Sequence, residues 1–151
     1  MILPAQHLRM IRPLSPFFDE KQVVGGMTFG CSAAGYDVRI AQTVALDLGG
    51  FSLASTVEHF TMPDDVLGIV HDKSTWARRG ITCQNTVIEP GWRGWLTLEL
   101  ANHSSEPVII TEGSPIAQIV FHQLLEPTDR PYRGKYQDQP NRPVSAIAEV
   151  V

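Results

Sequence analysis

Residues 86–99 run Thr86-Val-Ile-Glu-Pro-Gly-Trp-Arg-Gly-Trp-Leu-Thr-Leu-Glu99. The Pro90-Gly91 pair is typical of a tight turn, and the residues that follow alternate in polarity as a β-strand does. Alternation places the leucines of residues 96–100 on one face of this strand, and Thr97 and Glu99 on the other. A carboxylate in so apolar a strand is costly to bury alone. Either that face is solvated, or Glu99 has a partner or a chemical task.

The rest of the chain also favours an all-β fold. Its 12 glycines and 11 prolines are scattered and divide the sequence into short pieces, as in proteins built from many short strands. Besides residues 96–100, short apolar or alternating segments predict five more strands, at residues 36–40, 57–60, 66–70, 108–111 and 116–121.

One segment, residues 72–80, has helical boundaries instead: it starts with good N-cap residues and stops at Gly80. We predict a helix of about two turns. Ser74 and Arg78 are four positions apart and share a face, and Lys73 and Thr75 also lie near the helix start, where an anion is favoured. The group suits a phosphate, although a capped surface helix with solvated cations would have the same sequence.

The composition favours a single globular domain and argues against several functional classes. A chain of 151 residues with 43% hydrophobic residues is long enough for one domain with a packed core, and its net charge of −4 argues against a nucleic-acid binder. No apolar run is long enough to span a membrane, and no secretory signal is recognised. Cys31 and Cys83 are expected to be reduced thiols in a cytoplasmic protein, and no zinc-ligand spacing occurs.

The segment from Pro127 onward has no periodicity, and residues 130–139 combine three cations, two tyrosines and two glutamines. Such a mixture suits an arm that closes over an anionic, planar ligand, with the cations on phosphates and tyrosine against a ring. A solvated or disordered basic tail is the alternative interpretation.

Several of these stretches, taken in order, resemble the dCTP deaminase family, a branch of the trimeric dUTPase superfamily. The longest is Ile88-Glu-Pro-Gly-Trp-Arg-Gly-Trp-Leu-Thr-Leu-Glu-Leu-Ala-Asn102. The others are Ala34 to Arg39, Thr56 to Phe60, Lys73 to Ile81, Gly113 to Phe121 and Gly134 to Gln139.

This resemblance implies a distorted β-barrel or jelly-roll, with residues 1–126 forming the dUTPase-like domain and residues 127–151 an arm over the nucleotide. It implies a homotrimer with active sites shared between subunits. The implied reaction is deamination of dCTP to dUTP without zinc, with Mg²⁺ carried on the triphosphate and no metal ligand from the protein. Inhibition by dTTP is common in the family.

The resemblance also implies roles for individual residues. Glu99 matches the general acid–base that activates the attacking water, and Ser74 and Arg78 match the residues that orient it. The backbone around Thr86 and Val87 would hold the base edge. The remaining matches contact the sugar, the triphosphate or the closing arm, and they are Lys73, Thr75, Ile88, Glu89, Tyr132, Lys135, Tyr136 and Gln139.

Two other functions remain open at the level of sequence. A dUTP diphosphatase, or a bifunctional enzyme that converts dCTP to dUMP, would use Glu89 to activate a second water. Since dUTPases have aspartate there, a side chain one methylene longer favours weak or absent diphosphatase activity. A nucleotide-binding regulator would be expected to lack the catalytic carboxylate, but Glu99 is present.

Overall fold

The computed structural model describes residues 1–149. Within that range the chain forms two short helices, α1 (Ala5–Ile11) and α2 (Ser74–Ala77). It also forms twelve strands: β1 (Leu14–Ser15), β2 (Gln22–Val24), β3 (Met27–Ser32), β4 (Gly35–Arg39), β5 (Val44–Leu46), β6 (Phe51–Thr61), β7 (Val66–Asp72), β8 (Ile81–Cys83), β9 (Val87–Ile88), β10 (Arg93–Asn102), β11 (Val108–Ile110) and β12 (Pro115–Gln123).

The strands form three sheets in which the paired strands run antiparallel. A six-stranded sheet has the order β2-β3-β4-β12-β7-β9, a four-stranded sheet has the order β1-β6-β10-β8, and β11 pairs with β5. The strand order departs repeatedly from the chain order, as in a jelly-roll. The all-β prediction is therefore confirmed.

A single apolar core joins the sheets. Its largest fully buried side chains include aromatic and aliphatic residues from both large sheets, such as Tyr36, Phe60, Leu98, Leu100 and Phe121. Burying one such aliphatic side chain contributes about 1.5–3 kcal/mol to the free energy of unfolding. The leucine face of β10 thus stabilises the fold, and this leaves the Thr97 and Glu99 face for other tasks.

The six predicted strands all lie within or closely overlap observed ones, although β6 is much longer than the predicted residues 57–60. The prediction of a two-turn helix over residues 72–80 is wrong. Helix α2 has four residues, and Arg78 to Gly80 form a turn instead. Gly80 ends the segment with φ +77°, as expected of a helix-terminating glycine.

A bulge in the pairing of β6 with β10 affects the orientation of β10. Trp95 pairs with His59 but Thr97 pairs with Ser55, so that three residues of β6 face Leu96 alone. The Thr56 hydroxyl accepts a hydrogen bond from the Leu96 amide at 3.1 Å and donates to the Glu58 carbonyl at 2.7 Å. The bulge is therefore held by a buried side chain, and it fixes the register of Thr97 and Glu99.

The segment after β12 is not a detached tail in the part of the chain that the structure describes. Gln139 forms a parallel bridge with Gly94, and the Asp138 amide donates to the Arg93 carbonyl at 2.9 Å. The C-terminal segment is therefore docked on the rest of the domain, with residues 138 and 139 along the start of β10. No helix among the described residues combines the length and apolar character needed to cross a membrane.

Candidate active site

A cavity of about 490 Å³ opens between the edge strand β9, the polar face of β10 and the C-terminal segment. Its walls are mostly apolar, and its carboxylates are Glu89 and Glu99. The residues that line it are Phe51, Leu53, Thr86, Val87, Ile88, Glu89, Trp92, Leu96, Thr97, Glu99, Tyr132, Tyr136, Gln139, Val144 and Ala146. Seven of the predicted substrate-binding residues, together with Glu99, thus line one cavity.

Glu99 is held by rigid backbone on both sides. It pairs with Leu53 of β6, and its carbonyl accepts a hydrogen bond from the Gln84 amide at 3.0 Å. Its Oε2 atom is fully buried and has no hydrogen-bond partner among the described residues. Burial raises the pKa of the Glu99 carboxyl above its usual range. A half-buried carboxyl of raised pKa, aimed into a cavity, is suited to take up and release a proton.

Strand β9 presents backbone groups to the cavity because it is the outer strand of its sheet. Val87 faces Ile69, but the Val70 amide donates to the Thr86 carbonyl at 3.0 Å. In an antiparallel ladder this pattern makes Val87 and Ile69 a non-hydrogen-bonded pair. The N–H and C=O of Val87 therefore point away from β7, toward the open edge. A donor and an acceptor spaced in this way can distinguish an amino group from a carbonyl oxygen.

Ile88 and Glu89 follow Val87 in the wall of the cavity, and their side chains differ in burial. The Ile88 side chain is buried in the core, whereas Glu89 is exposed at the rim of the cavity. Tyr132 reaches the rim from the C-terminal segment, where its amide donates to the Pro90 carbonyl at 2.9 Å. A carboxylate and a phenol ring thus flank the cavity mouth.

The C-terminal segment is fastened to the start of β10. The Trp92 indole donates to the Tyr136 carbonyl at 2.6 Å, and the Trp95 amide donates to the Gln139 carbonyl at 3.2 Å. Arg93 and Asp138 form an exposed ion pair, which lowers the pKa of the Asp138 carboxyl. Lys135 does not line the cavity and lies 3.1 Å from Glu149.

The four residues predicted around α2 are not at this cavity within the single chain. Ser74 and Arg78 are exposed, Thr75 is partly exposed, and none of them lines the cavity. Lys73 is buried, and its ammonium group lies 2.9 Å from Asp37 Oδ2. Among the described residues no cation offsets the effect of burial on Glu99. The chain therefore brings Glu99 together with the residues of β9 and the arm, but not with Ser74 and Arg78.

Several residues that line the cavity are not among the predicted site residues. Thr97 precedes Glu99 by two positions, so strand alternation alone places it on the same face, and that signal was available. Phe51 and Leu53 reach the cavity through the register of β6 with β10, and Val144 and Ala146 through the path of the arm. No local sequence pattern predicts that Phe51, Leu53, Val144 and Ala146 line the cavity.

Cys83 lies close behind the site. Burial and the nearby carboxylates of Glu99 and Asp72 raise the pKa of its thiol to about 12, so the thiol stays protonated. Clusters of three or more His, Cys, Asp or Glu side chains that could hold a metal ion do not occur in residues 1–149.

Comparison with known proteins assigns a family. A family model described as dCTP deaminase-like matches residues 32–124. A dCTP deaminase of Campylobacter fetus is 35% identical over 83% of this chain and 85% of its own length. A dCTP deaminase of Thermococcus gammatolerans is 36% identical over 91% of each chain.

Solved structures agree on the fold. The dUTPase of EIAV superposes with a TM-score of 0.55 at 20% identity, covering 67% of this chain and 84% of its own. A dUTPase from phage phi11 of S. aureus superposes with a TM-score of 0.58 at 18% identity, covering 68% and 85%. At this level of identity the likeness shows a dUTPase-like fold.

Proposed function

The chain belongs to the dCTP deaminase-like family, and from this premise we propose that it hydrolyses dCTP to dUTP and ammonia. The observation that carries the proposal is Glu99, a cavity-facing carboxylate with a buried oxygen that no described side chain or backbone group satisfies. A buried group left unpaired at a cost to folding is expected to serve catalysis.

Glu99 is proposed to act as the general acid–base. As a water oxygen bonds to C4 of the cytosine, the Glu99 carboxylate takes one proton from that water and passes it to N3, and the N3–C4 double bond becomes a single bond. The carboxylate then takes the second proton from the new C4 hydroxyl and passes it to the amino nitrogen, so that the C4 carbonyl forms, the C4–N bond to the amino group breaks and ammonia leaves. The raised pKa of Glu99 supports this role, because it brings the carboxyl closer to the pH at which it must both accept and donate.

The backbone of β9 is proposed to select the base. Val87 presents both a donor and an acceptor at the open edge of the sheet, and Thr86 stands beside it in the cavity wall. Cytosine and uracil differ in their donor and acceptor pattern at N3 and C4, so a fixed backbone pair can tell them apart.

The rim residues are proposed to hold the sugar. Glu89 would accept a hydrogen bond from the 3′-hydroxyl, and packing between Ile88 and Tyr132 would exclude a 2′-hydroxyl. Tyr136, Gln139 and Lys135 would act from the C-terminal arm, which we propose covers the nucleotide. The support for these roles is that all but Lys135 line the cavity of Glu99.

The α2 residues are proposed to act across a subunit boundary. A homotrimer would bring Ser74 and Arg78 of one subunit to Glu99 of its neighbour, with Lys73 and Thr75 near the triphosphate. Two observations support this arrangement: Ser74 and Arg78 are exposed, and no cation among residues 1–149 offsets the effect of burial on the Glu99 carboxyl. Lys73 would have to leave Asp37 to reach a phosphate, so we expect its part to be the smaller one.

Magnesium is proposed to arrive with the substrate. The protein carries a net charge of −4, and the nucleotide adds a triphosphate. A Mg²⁺ ion on the phosphate oxygens lowers this repulsion and needs few or no protein ligands.

Product analysis tests the proposal. The purified protein is incubated with Mg²⁺ and dCTP, and separately with dUTP, and nucleotides, ammonia and pyrophosphate are quantified. We expect dUTP and ammonia from dCTP, and no change in dUTP. Glu99→Gln should abolish ammonia release while dCTP still binds, whereas Glu112→Gln, an exposed carboxylate outside the cavity, should keep full activity. Full activity of Glu99→Gln would disprove the assignment.

A diphosphatase activity is the second candidate, because Glu89 is an exposed carboxylate at the rim of the same cavity. It requires pyrophosphate release from dUTP, which the same incubation measures.

A further inference from the structure

Trp76 is the buried residue of helix α2, and the function proposed above gives it no role. Its side chain is 4% exposed, and its indole N–H donates a hydrogen bond to the Pro115 carbonyl at 2.7 Å. Pro115 is the first residue of β12, 39 positions later in the chain. One buried hydrogen bond thus ties the short helix to the six-stranded sheet.

The hydrogen bond lies where β7 stops pairing with β12. The last pair of these two strands is Asp72 with Ala117, and Pro115 lies two residues beyond that pair. At the same point the pairing of β12 with β4 shifts register between Pro115 and Ala117. A bulge of this kind changes the direction in which the strand presents its groups. The Trp76 indole therefore donates to β12 just past the end of β7.

Helix α2 buries one side and exposes the other. Lys73 and Trp76 are three positions apart, about one turn, and their side chains reach Asp37 and β12. Ser74 and Arg78 are exposed, and the Arg78 amide donates to the Ser74 carbonyl at 3.0 Å. Because these residues share one turn of backbone, a shift of the Trp76 ring also moves Arg78.

We propose that Trp76 is a positioning residue for the deamination: its indole N–H fixes the place from which α2 presents Arg78 to Glu99 of a neighbouring subunit. It acts through Arg78 and does not itself touch the reacting atoms. A helix of four residues has little stability of its own, so its position depends on such contacts. A catalytic group displaced by about 1 Å can lose on the order of 100-fold in rate. The kinetic part of this inference rests on the proposed function, and the anchoring of α2 does not.

The alternative role of Trp76, simple packing in the core, predicts a different outcome on substitution. Trp76→Phe keeps a buried aromatic ring and removes the N–H donor. Tyr36→Phe is the matched control, because Tyr36 is fully buried, lies outside the cavity and donates to the Pro16 carbonyl at 3.2 Å. If Trp76 only packs, both variants lose stability and both keep the wild-type kcat. If Trp76 positions α2, kcat falls in Trp76→Phe alone.

The test combines steady-state kinetics on dCTP and Mg²⁺ with hydrogen exchange of the full chain. We expect kcat to fall about 10-fold in Trp76→Phe and to stay within about 2-fold of the wild type in Tyr36→Phe. Peptides spanning residues 73–80 should exchange about 5-fold faster in Trp76→Phe, the effect of losing one net hydrogen bond. The same peptides should exchange at the wild-type rate in Tyr36→Phe.

A double-mutant cycle tests whether Trp76 acts through Arg78. In an Arg78→Gln background, the group that Trp76 positions is already absent. The additional loss of kcat from Trp76→Phe should therefore shrink from about 10-fold to less than about 3-fold. A purely structural effect would be the same in both backgrounds.

A second variant keeps the proposal testable if Trp76→Phe does not fold. Benzothienylalanine incorporated at position 76 has a sulfur atom in place of the indole N–H and keeps the size of the ring, so it should reproduce the lower kcat and the faster exchange. An unchanged kcat in Trp76→Phe, an equal loss of kcat in Tyr36→Phe, or an undiminished loss in the Arg78→Gln background would overturn the proposal. If the wild type does not turn over dCTP but the exchange contrast holds, the proposed function fails and the anchoring of α2 by Trp76 stands.

Discussion

Lys73 Nζ lies 2.9 Å from Asp37 Oδ2, and both side chains are almost completely buried. The pair joins the residue that precedes α2 to the middle of β4, 36 positions earlier in the chain. It therefore fixes the start of the short helix that presents Ser74 and Arg78. A helix of four residues has little stability of its own, so this ion pair holds it in place.

Removing one member of the pair should destabilise the protein strongly. Lys73→Met leaves the Asp37 carboxylate buried without its cation, and we expect the free energy of unfolding to fall by about 3–5 kcal/mol. Lys73→Met combined with Asp37→Asn should recover most of that loss, because no uncompensated charge remains. Urea unfolding measures both.

The ion pair of Lys135 with Glu149 provides the control. Glu149 is 79% exposed, and Glu149→Gln should change the free energy of unfolding by less than about 1 kcal/mol. If the free energy of unfolding falls no further in Lys73→Met than in Glu149→Gln, the ion pair of Lys73 with Asp37 does not hold α2 in place.

The Glu99 carboxyl should cost stability at neutral pH. Burial raises its pKa in the folded state, so the native protein binds this proton more tightly than the unfolded chain, whose carboxyl titrates near 4.5. Stability contributed by the protonated group is present below pH 4.5 and is lost as the pH rises through the folded pKa. Glu99→Gln resembles the protonated form and should be the more stable protein at pH 8.

Thermal unfolding of Glu99→Gln and wild type from pH 4 to pH 8 measures this difference. The gain in melting temperature should be largest at pH 8 and should shrink toward pH 4. Glu112→Gln, at an exposed site, should follow the wild-type curve throughout. A gain that does not depend on pH would rule out ionisation of Glu99 as its cause.

Strand alternation in residues 96–100 correctly predicts that the leucines lie on one face of β10, and Thr97 and Glu99 on the other. All three leucines are buried in the core, although Leu96 also borders the cavity, and Thr97 and Glu99 face the cavity. The sequence also predicts that Glu99 is either solvated or functional, and its buried, unsatisfied oxygen supports the second option. These features depend on neighbours in the chain, which is why local patterns capture them.

Features that depend on distant pairing could not be predicted in the same way. The sequence around Lys73 resembles a phosphate-binding helix start, and only the fold brings Asp37 to its ammonium group. Likewise β9, with two residues, is too short to give a periodic signal, although its edge position exposes the backbone of Val87. The path of the arm depends on contacts across more than 40 positions, such as Thr97 with Gln139.

Gly94 should be essential for docking of the arm. Its φ is +141°, and a Cβ at this position would lie 2.6 Å from the Gln139 backbone nitrogen. Gly94→Ala should therefore displace the arm and lower kcat/KM for dCTP by roughly 10- to 100-fold. Limited trypsin digestion should cut faster at Lys135 when the arm is displaced.

Gly113→Ala is the matched control for backbone strain. Gly113 also has a positive φ, +81°, but an added Cβ would meet no atom within 4 Å. It should lose about 1 kcal/mol of stability and keep the wild-type kcat/KM and digestion pattern. If Gly94→Ala and Gly113→Ala lose activity equally, the effect of Gly94→Ala comes from backbone strain alone and not from displacement of the arm.

Glu89 provides the sharpest test between the two enzymatic hypotheses. If it holds the 3′-hydroxyl, Glu89→Gln loses a charged hydrogen bond of about 1.5–3 kcal/mol, so kcat/KM for dCTP should fall roughly 10- to 100-fold with dUTP still the product. If it activates a second water, the wild type releases pyrophosphate and Glu89→Gln does not. Glutamate places its carboxylate roughly 1.5 Å further out than aspartate, and a shift of that size costs on the order of 100-fold in such chemistry. We therefore expect no pyrophosphate from either protein, and its release by the wild type alone would make Glu89 catalytic.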